Sequence, residues 1–135
     1  AVMDAIGALP DLLVMSNPIG TARFETEQGR YRYVDYGLEV GSPDLVAMMP
    51  WVCAREILGA QWIGLELKAP GKAPKPHQEE CHRRWRAHGA WVWPAITSAT
   101  EAVAAIEEAR QKLRTCGLEP CAVSMSHLRE SDGGA

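Results

Sequence analysis

Apolar and polar positions alternate in the middle of the chain, which is the pattern of a half-buried strand. Ile63, Leu65 and Leu67 recur at every second position and share one face, which we expect to point into the core. Glu66 and Lys68 share the opposite face, about 6–7 Å apart along the chain. Because unpaired charge is costly in an apolar strand, this pair indicates a role beyond folding.

The same pattern of alternation and apolar runs predicts five strands in all. Residues that favour turns, mainly Pro, Gly and Asn, separate them. The predicted strands are Leu12–Met15, Arg30–Tyr36, Asp44–Met49, Trp62–Lys68 and Ala90–Ile96.

The segments between these strands are predicted as connections. Residues 16–21 have the composition of a turn, and residues 69–76 form a loop rich in Pro, Gly and Lys. Residues 50–61 are predicted to be a connection with a partial helical turn at Ala54–Leu58. Because closely joined strands are usually antiparallel neighbours, we expect the strands on either side of residues 50–61 to lie side by side.

Three segments have helical features. Residues 1–9 have weak helical spacing. A helix over His77–His88 ends at Gly89, a residue favoured just after a helix. Ser98-Ala-Thr-Glu101 is a capping box that opens a third helix, which we expect to continue to about Arg114.

Helical spacing also predicts which side chains share a face. On the second helix one face carries Gln78, Cys81, Trp85 and His88. The third helix is expected to bury Val103, Ile106 and Leu113. Residues 116–135 lose periodicity and are predicted to be a loosely ordered tail. The order of elements indicates an α/β fold with a mixed central β-sheet flanked by helices.

Composition restricts the possible partners. The chain has 135 residues, with 47% hydrophobic and 23% charged residues, which suits a single globular domain. The net charge of −3 gives no general basic excess, so any nucleic-acid binding requires a local basic patch. The four cysteines lack zinc-ligand spacing and are expected to be free thiols in a reducing compartment. We see no signal peptide and no apolar run of about 20 residues, and we expect a cytoplasmic protein without a membrane partner.

Asp44, Glu66 and Lys68 form a candidate catalytic centre. Two carboxylates are hard oxygen ligands suited to Mg²⁺ or Mn²⁺, and such an ion assists phosphodiester hydrolysis. The carbonyl of Leu67 is a third candidate ligand. Lys68 would orient or deprotonate the water or stabilise developing charge, and the neighbouring carboxylates favour the last role because they keep it charged. The alternative is that all three are solvated surface charges on an edge strand.

Several stretches, in this order, resemble the VRR-NUC nucleases, a branch of the PD-(D/E)xK superfamily that has compact stand-alone members in phages and prophages. They are Gly41-Ser-Pro-Asp-Leu45, Leu65-Glu-Leu-Lys-Ala-Pro-Gly-Lys72, Gln78, Gly89-Ala90 and the Ser98 helix. The resemblance runs from about Asn17 to Arg114. It implies a PD-(D/E)xK nuclease-like core over residues 1–115 and a metal-dependent DNA endonuclease activity.

The resemblance also implies roles for individual residues. It makes Asp44 and Glu66 metal ligands, makes Lys68 a catalytic lysine, and gives Gln78 a place in the site. Asn17 belongs to a family turn whose arginine is replaced here by Ser16, which removes one DNA contact. The family carries a further acidic ligand on its first helix, and here the nearest acid is Asp4, so that ligand stays open.

The nuclease hypothesis also predicts the substrate and further residues that contact it. The candidate DNA contacts are Asn17 in the turn, Lys72 and Lys75 on the loop, and Arg83 on the helix. For the lysines and the arginine the alternative is a solvated surface. We expect cleavage of branched DNA such as Holliday junctions by a homodimer, as the resemblance implies. A nicking or flap-type nuclease, and a DNA-binding module with a degenerate site, are the alternatives.

Overall fold

The computed structural model describes residues 1–53 and 56–120. In these ranges three helices and seven strands form. They are α1 (Val2–Gly7), β1 (Leu13–Ser16), β2 (Gly20–Glu25), β3 (Tyr31–Tyr36), β4 (Leu45–Cys53), β5 (Glu56–Leu67), α2 (Pro76–Ala87), β6 (Trp91–Ile96), α3 (Ala99–Thr115) and β7 (Glu119–Pro120).

The central sheet is mixed, as expected. Its strand order is β1-β4-β5-β6, and β7 also pairs with β4. β4 and β5 are antiparallel, with Leu45 opposite Leu65, whereas β6 runs parallel to β5. The predicted α/β class with a mixed central sheet and helices is therefore confirmed. No helix in the described residues is long and apolar enough to cross a membrane.

The core lies between one face of this sheet and helices α1 and α3. Ile63 and Leu65 are fully buried, which confirms the alternation predicted for this strand. Ile106 and Leu113 of α3 pack against them, as predicted. Val103 is 39% exposed, so its predicted burial is wrong. Alanines take the buried stripe because a flat helix face approaches the sheet more closely: Ala102, Ala105 and Ala109.

The predicted connection over residues 50–61 is wrong. The segment is instead the outer part of a long hairpin, in which β4 and β5 continue to pair as far as Cys53 and Glu56. Residues 56–58 are strand rather than helical turn, and Ala54 and Arg55 lie outside the described residues. Pro50, which cannot donate a ladder hydrogen bond, falls between the parts of β4 that pair with β1 and with β7.

A second, two-stranded sheet was only half predicted. β3 was expected, but its partner β2 was not, and β2 includes the last two residues of the predicted turn at 16–21. Every side chain of β3 is exposed.

The end of α3 and the residues that follow it differ from the prediction in their extent. α3 ends at Thr115, one residue from the prediction. Leu118 N donates to Leu113 O at 2.9 Å, and Glu119–Pro120 pairs with β4. The loosely ordered tail predicted for 116–135 is thus wrong for 116–120, and residues 121–135 lie outside the described residues.

Candidate functional site

The loop before β4 and the end of β5 meet at one end of the sheet. Because Leu45 lies opposite Leu65, the antiparallel register brings Asp44 beside Glu66. Oδ2 of Asp44 accepts a hydrogen bond from the backbone N–H of Leu67 at 2.7 Å. Asp44 is exposed, so its carboxylate faces solvent at the mouth of the candidate site.

Glu66 lies behind Asp44 and is only 1% exposed. Its Oε1 accepts from Gln78 Nε2 at 2.7 Å and lies 3.3 Å from the ammonium of Lys68. Its Oε2 lies 3.3 Å from Nε2 of His82. Because a carboxylate has about four lone-pair positions, these contacts leave one for a further ligand.

Gln78 connects the lysine to the carboxylate. Lys68 Nζ donates to Gln78 Oε1 at 2.8 Å, and the same oxygen accepts from the backbone N–H of Lys75 at 2.9 Å. The backbone N–H of Lys68 donates to Ile96 O at 2.9 Å, which joins the end of β5 to β6. Glu66, Lys68 and Gln78 therefore form one hydrogen-bonded group, held by α2 on one side and the sheet below.

Burial shifts the ionisation of this group. It raises the pKa of Glu66 from 4.5 to about 7, and the Asp44 carboxylate acts in the same direction, while Lys68 opposes both. The pKa of His82 is lowered, first by burial and then by the charges of Arg86 and Lys68. A neutral imidazole therefore faces Glu66.

Asn17 holds the loop that carries Asp44. Its Nδ2 donates to Ser42 Oγ at 2.8 Å and to Pro43 O at 2.9 Å, and its Oδ1 accepts from Leu38 N at 3.1 Å. Its backbone N–H donates to Asp44 O at 2.8 Å. Asn17 is buried and its amide is hydrogen-bonded within the protein, so it positions the Asp44 loop, and its contact with DNA stays a prediction.

Two glycines allow this loop to pack closely. Gly41 has a φ of +90°, and a Cβ there would lie 2.7 Å from the carbonyl oxygen of His77 at the start of α2. A Cβ on Gly64 would lie 2.5 Å from Cγ of Pro43. The loop is therefore wedged between α2 and β5, which fixes Asp44 relative to Glu66.

The predicted DNA contacts lie around this centre without joining it. Lys72 and Lys75 are exposed on the loop between β5 and α2. Arg83 is exposed on α2 and forms an ion pair with Glu80 one turn earlier. Asp4, the candidate for a further acidic ligand, is exposed on α1 and pairs with the amino group of Ala1.

The donor set is compatible with Mg²⁺ or Mn²⁺ at the mouth of the site. Asp44 and Glu66 supply carboxylate oxygens, which these ions prefer. The N–H and C=O of one strand residue point the same way in an antiparallel ladder, so the bond from Leu67 N to Asp44 directs the Leu67 carbonyl to the same side. The described residues hold no group of three or more His, Cys, Asp or Glu side chains arranged for a metal, so the set is two carboxylates and one carbonyl.

His82 is the site residue that sequence reasoning missed. The helical face was drawn through Gln78, Cys81 and Trp85, and His82 is adjacent to it. Its spacing of four residues from Gln78 is the signal that could have found it, because such residues lie one turn apart on the same face. The two side chains reach the two oxygens of the same carboxylate.

We compared the chain with known families, curated proteins and solved structures. No family model matches it, and neither a curated protein nor a solved structure gives a significant match.

Proposed function

We propose that the chain is a Mg²⁺- or Mn²⁺-dependent DNA endonuclease that hydrolyses phosphodiester bonds in branched DNA such as Holliday junctions. One observation carries the proposal: Asp44, Glu66 and Lys68 gather at one end of the sheet, with Gln78 hydrogen-bonded to both Glu66 and Lys68. The resemblance of the motifs to VRR-NUC nucleases, with a PD-(D/E)xK nuclease-like core, supports the same reaction class.

Asp44, Glu66 and the Leu67 carbonyl would hold the metal ion. When bound, the ion would neutralise charge on the phosphate and lower the pKa of a bound water. Asp44 is exposed and meets the entering ligand first, whereas Glu66 supplies a second carboxylate already oriented by its hydrogen bonds. In the reaction the water oxygen forms a bond to phosphorus as the bond from phosphorus to the leaving sugar oxygen breaks.

Lys68 is assigned the stabilisation of negative charge on the phosphate. Its ammonium lies 3.3 Å from a Glu66 oxygen and 2.8 Å from Gln78 Oε1. These two contacts fix the direction of the ammonium. A fixed ammonium beside the scissile phosphate stabilises a transition state more than a mobile one, because no reorganisation is needed.

The DNA contacts follow from the surface around this centre. Lys72 and Lys75 extend from the loop that joins Lys68 to α2, where they would meet the phosphates next to the scissile bond. Arg83 would contact the backbone further along α2. A homodimer would present two such sites to a two-fold symmetric junction. The activity is proposed for the cytoplasm of a bacterium or of a phage-infected host.

Cleavage assays test the proposal. Four-way junction, flap, nicked and linear duplex DNA are incubated with the protein and Mg²⁺ or Mn²⁺. We expect cleavage of the junction, a loss of at least about 100-fold in Lys68→Ala and Asp44→Asn, and parental rates in Glu79→Gln, an exposed α2 control. Cleavage of only flap or nicked DNA selects the alternative nuclease class. Junction binding without cleavage of any substrate overturns the enzyme assignment.

A further inference from the structure

We propose that a cavity on the Glu66 face of the sheet binds one unpaired nucleobase of the substrate strand. The cavity has a volume of about 660 Å³, which is within the range of small-ligand sites. Ala60 and Trp62 of β5 form its floor, and Trp85 of α2 and His88, the residue after α2, form one wall. The inference rests on the proposed function, because the base would arrive as part of the DNA strand.

The walls of the cavity are fixed in the free protein. Glu39, in the segment before the Asp44 loop, accepts from Trp85 Nε1 at 3.1 Å and from the guanidinium of Arg84 at 3.2 Å. The thiol of Cys81 donates to the same carboxylate at 3.1 Å. These bonds join the wall at Leu38 to α2, so little ordering is needed when a ligand enters.

The lining suits a flat, neutral, hydrogen-bonding ligand. Trp62 is 44% exposed in the floor, and an exposed indole is a stacking platform for a base. Gln61 Nε2 already donates to Gly89 O and Trp62 O, which leaves its Oε1 as an acceptor at the rim. His88 Nδ1 lies 2.7 Å from Arg84 O, so its Nε2 is the acceptor of the neutral ring. The carboxylate of Glu39 disfavours a phosphate here.

The cavity and the candidate catalytic centre lie along the same face of β5. Trp62 and Glu66 lie on the same face of β5 and are four residues apart, which is about 13 Å. This distance matches about four nucleotides of a stacked strand at 3.4 Å each. A base in the cavity would therefore belong to the strand whose phosphate lies at the mouth of the candidate centre beside Asp44. The enzyme would select branched DNA that has an unpaired base near the cleavage point.

Binding in metal-free buffer tests the cavity separately from catalysis. One probe is a duplex with a single bulged thymine, and its matched probe has an abasic bulge at the same position. We expect the parent protein to bind the bulged thymine more tightly, and Trp62→Ala to remove that preference with an affinity loss of about 5- to 100-fold, as for one base–aromatic stack. Trp62→Phe should keep most of it. Phe24→Ala, an exposed aromatic on β2, should keep all of it.

The outcomes separate the two proposals. A thymine preference that depends on Trp62, in a protein that cleaves nothing, supports the cavity and overturns the endonuclease. Cleavage with equal affinity for thymine and abasic bulges overturns the cavity alone. A change in oligomeric state on Trp62→Ala, with the thymine preference retained, shows that the surface contacts a second copy and also overturns it. If Trp62→Ala does not fold, Ala60→Trp fills the cavity and must abolish the thymine preference.

Discussion

The imidazole Nε2 of His82 lies 3.3 Å from Oε2 of Glu66, and each residue is 1% exposed. Among the described residues His82 Nδ1 has no hydrogen-bond partner. When the Glu66 carboxylate is ionised, Nε2 of the neutral ring donates to it, which leaves Nδ1 as the acceptor of the ring. A buried acceptor without a partner costs free energy, which the protein accepts here in order to direct a donor at a carboxylate. We infer that His82 orients Glu66, which would matter for the metal ion that the proposed function requires.

Two variants of His82 distinguish a role in orienting Glu66 from a role in packing alone. His82→Leu keeps the volume but removes the donor, and we expect Mn²⁺ affinity and kcat to fall about 10- to 100-fold, as for other residues that orient metal ligands. His82→Gln can place an amide N–H near the Nε2 position and should restore most of both values. Isothermal titration with Mn²⁺ and single-turnover cleavage measure them, with thermal unfolding as the control.

The interpretation of His82 fails if the two variants behave alike. Equal Mn²⁺ affinity in His82→Leu and the parent would show that the ring only fills the core. Equal losses in both variants, with matching falls in the melting temperature, would assign the effect to packing.

Glu66 makes the free energy of unfolding fall as pH rises. Its pKa rises from 4.5 to about 7 on folding because of burial and the nearby Asp44 carboxylate. The folded state therefore holds this proton more tightly than the unfolded state does. The stabilisation is fully present below the unfolded pKa of 4.5 and is lost as pH rises through about 7, a change of up to about 3 kcal/mol.

Glu66→Gln should remove this dependence. Urea unfolding in EDTA is measured at pH 5 and pH 8 for the parent, Glu66→Gln and the exposed α2 control Glu79→Gln. We expect the parent and the control to lose free energy of unfolding between the two pH values, and Glu66→Gln to lose clearly less. Parallel pH profiles in all three proteins would show that Glu66 titrates normally.

The candidate centre was predictable from sequence because its residues obey strong local rules. Strand alternation places Glu66 and Lys68 on one face, and the register opposite Leu45 brings in Asp44. Of the β2–β3 hairpin only β3 was predicted, because β2 begins at Gly20 and Thr21, within a segment that has the composition of a turn. The outer part of the β4–β5 hairpin was missed because residues 50–61 were predicted to be a connection, whereas the two strands pair as far as Cys53 and Glu56. Pro50 is tolerated because it lies between the parts of β4 that pair with β1 and with β7.

Asp11 and Arg110 form an ion pair that attaches the segment after α1 to α3. The Arg110 guanidinium donates to both carboxylate oxygens of Asp11, which is 7% exposed, and holds the pKa of Asp11 below its usual value. Asp11→Ala leaves a largely buried guanidinium without its main partner. We expect a loss of about 3–5 kcal/mol in the free energy of unfolding at pH 7.

Denaturant unfolding of Asp11→Ala checks that loss against a matched control. Glu107 pairs with the same Arg110 from an exposed position, so Glu107→Gln should cost far less free energy of unfolding than Asp11→Ala. The Asp11 contribution is present above its unfolded pKa and is lost as pH falls through the lower folded value. The difference between parent and Asp11→Ala should therefore shrink in acid, and a constant difference down to pH 2 would contradict the assignment.

Gly64 connects the packing of the sheet to the position of Asp44. A Cβ on Gly64 would lie 2.5 Å from Cγ of Pro43, which is too close, and the Pro43 ring cannot rotate away. Gly64→Ala should therefore displace Pro43 together with Asp44, the next residue in the chain. We expect destabilisation of about 1–3 kcal/mol and a larger relative fall in Mn²⁺ affinity than stability alone explains.

Gly7→Ala is the matched control for this change. Gly7 ends α1 and a Cβ there has no heavy atom within 4 Å, so this variant should keep both stability and Mn²⁺ affinity. Because Gly64→Ala alters no donor atom, a loss of metal affinity in its folded form can come only from displaced ligands. A folded Gly64→Ala protein with parental Mn²⁺ affinity would show that the Pro43–Asp44 loop does not set the geometry of the metal site.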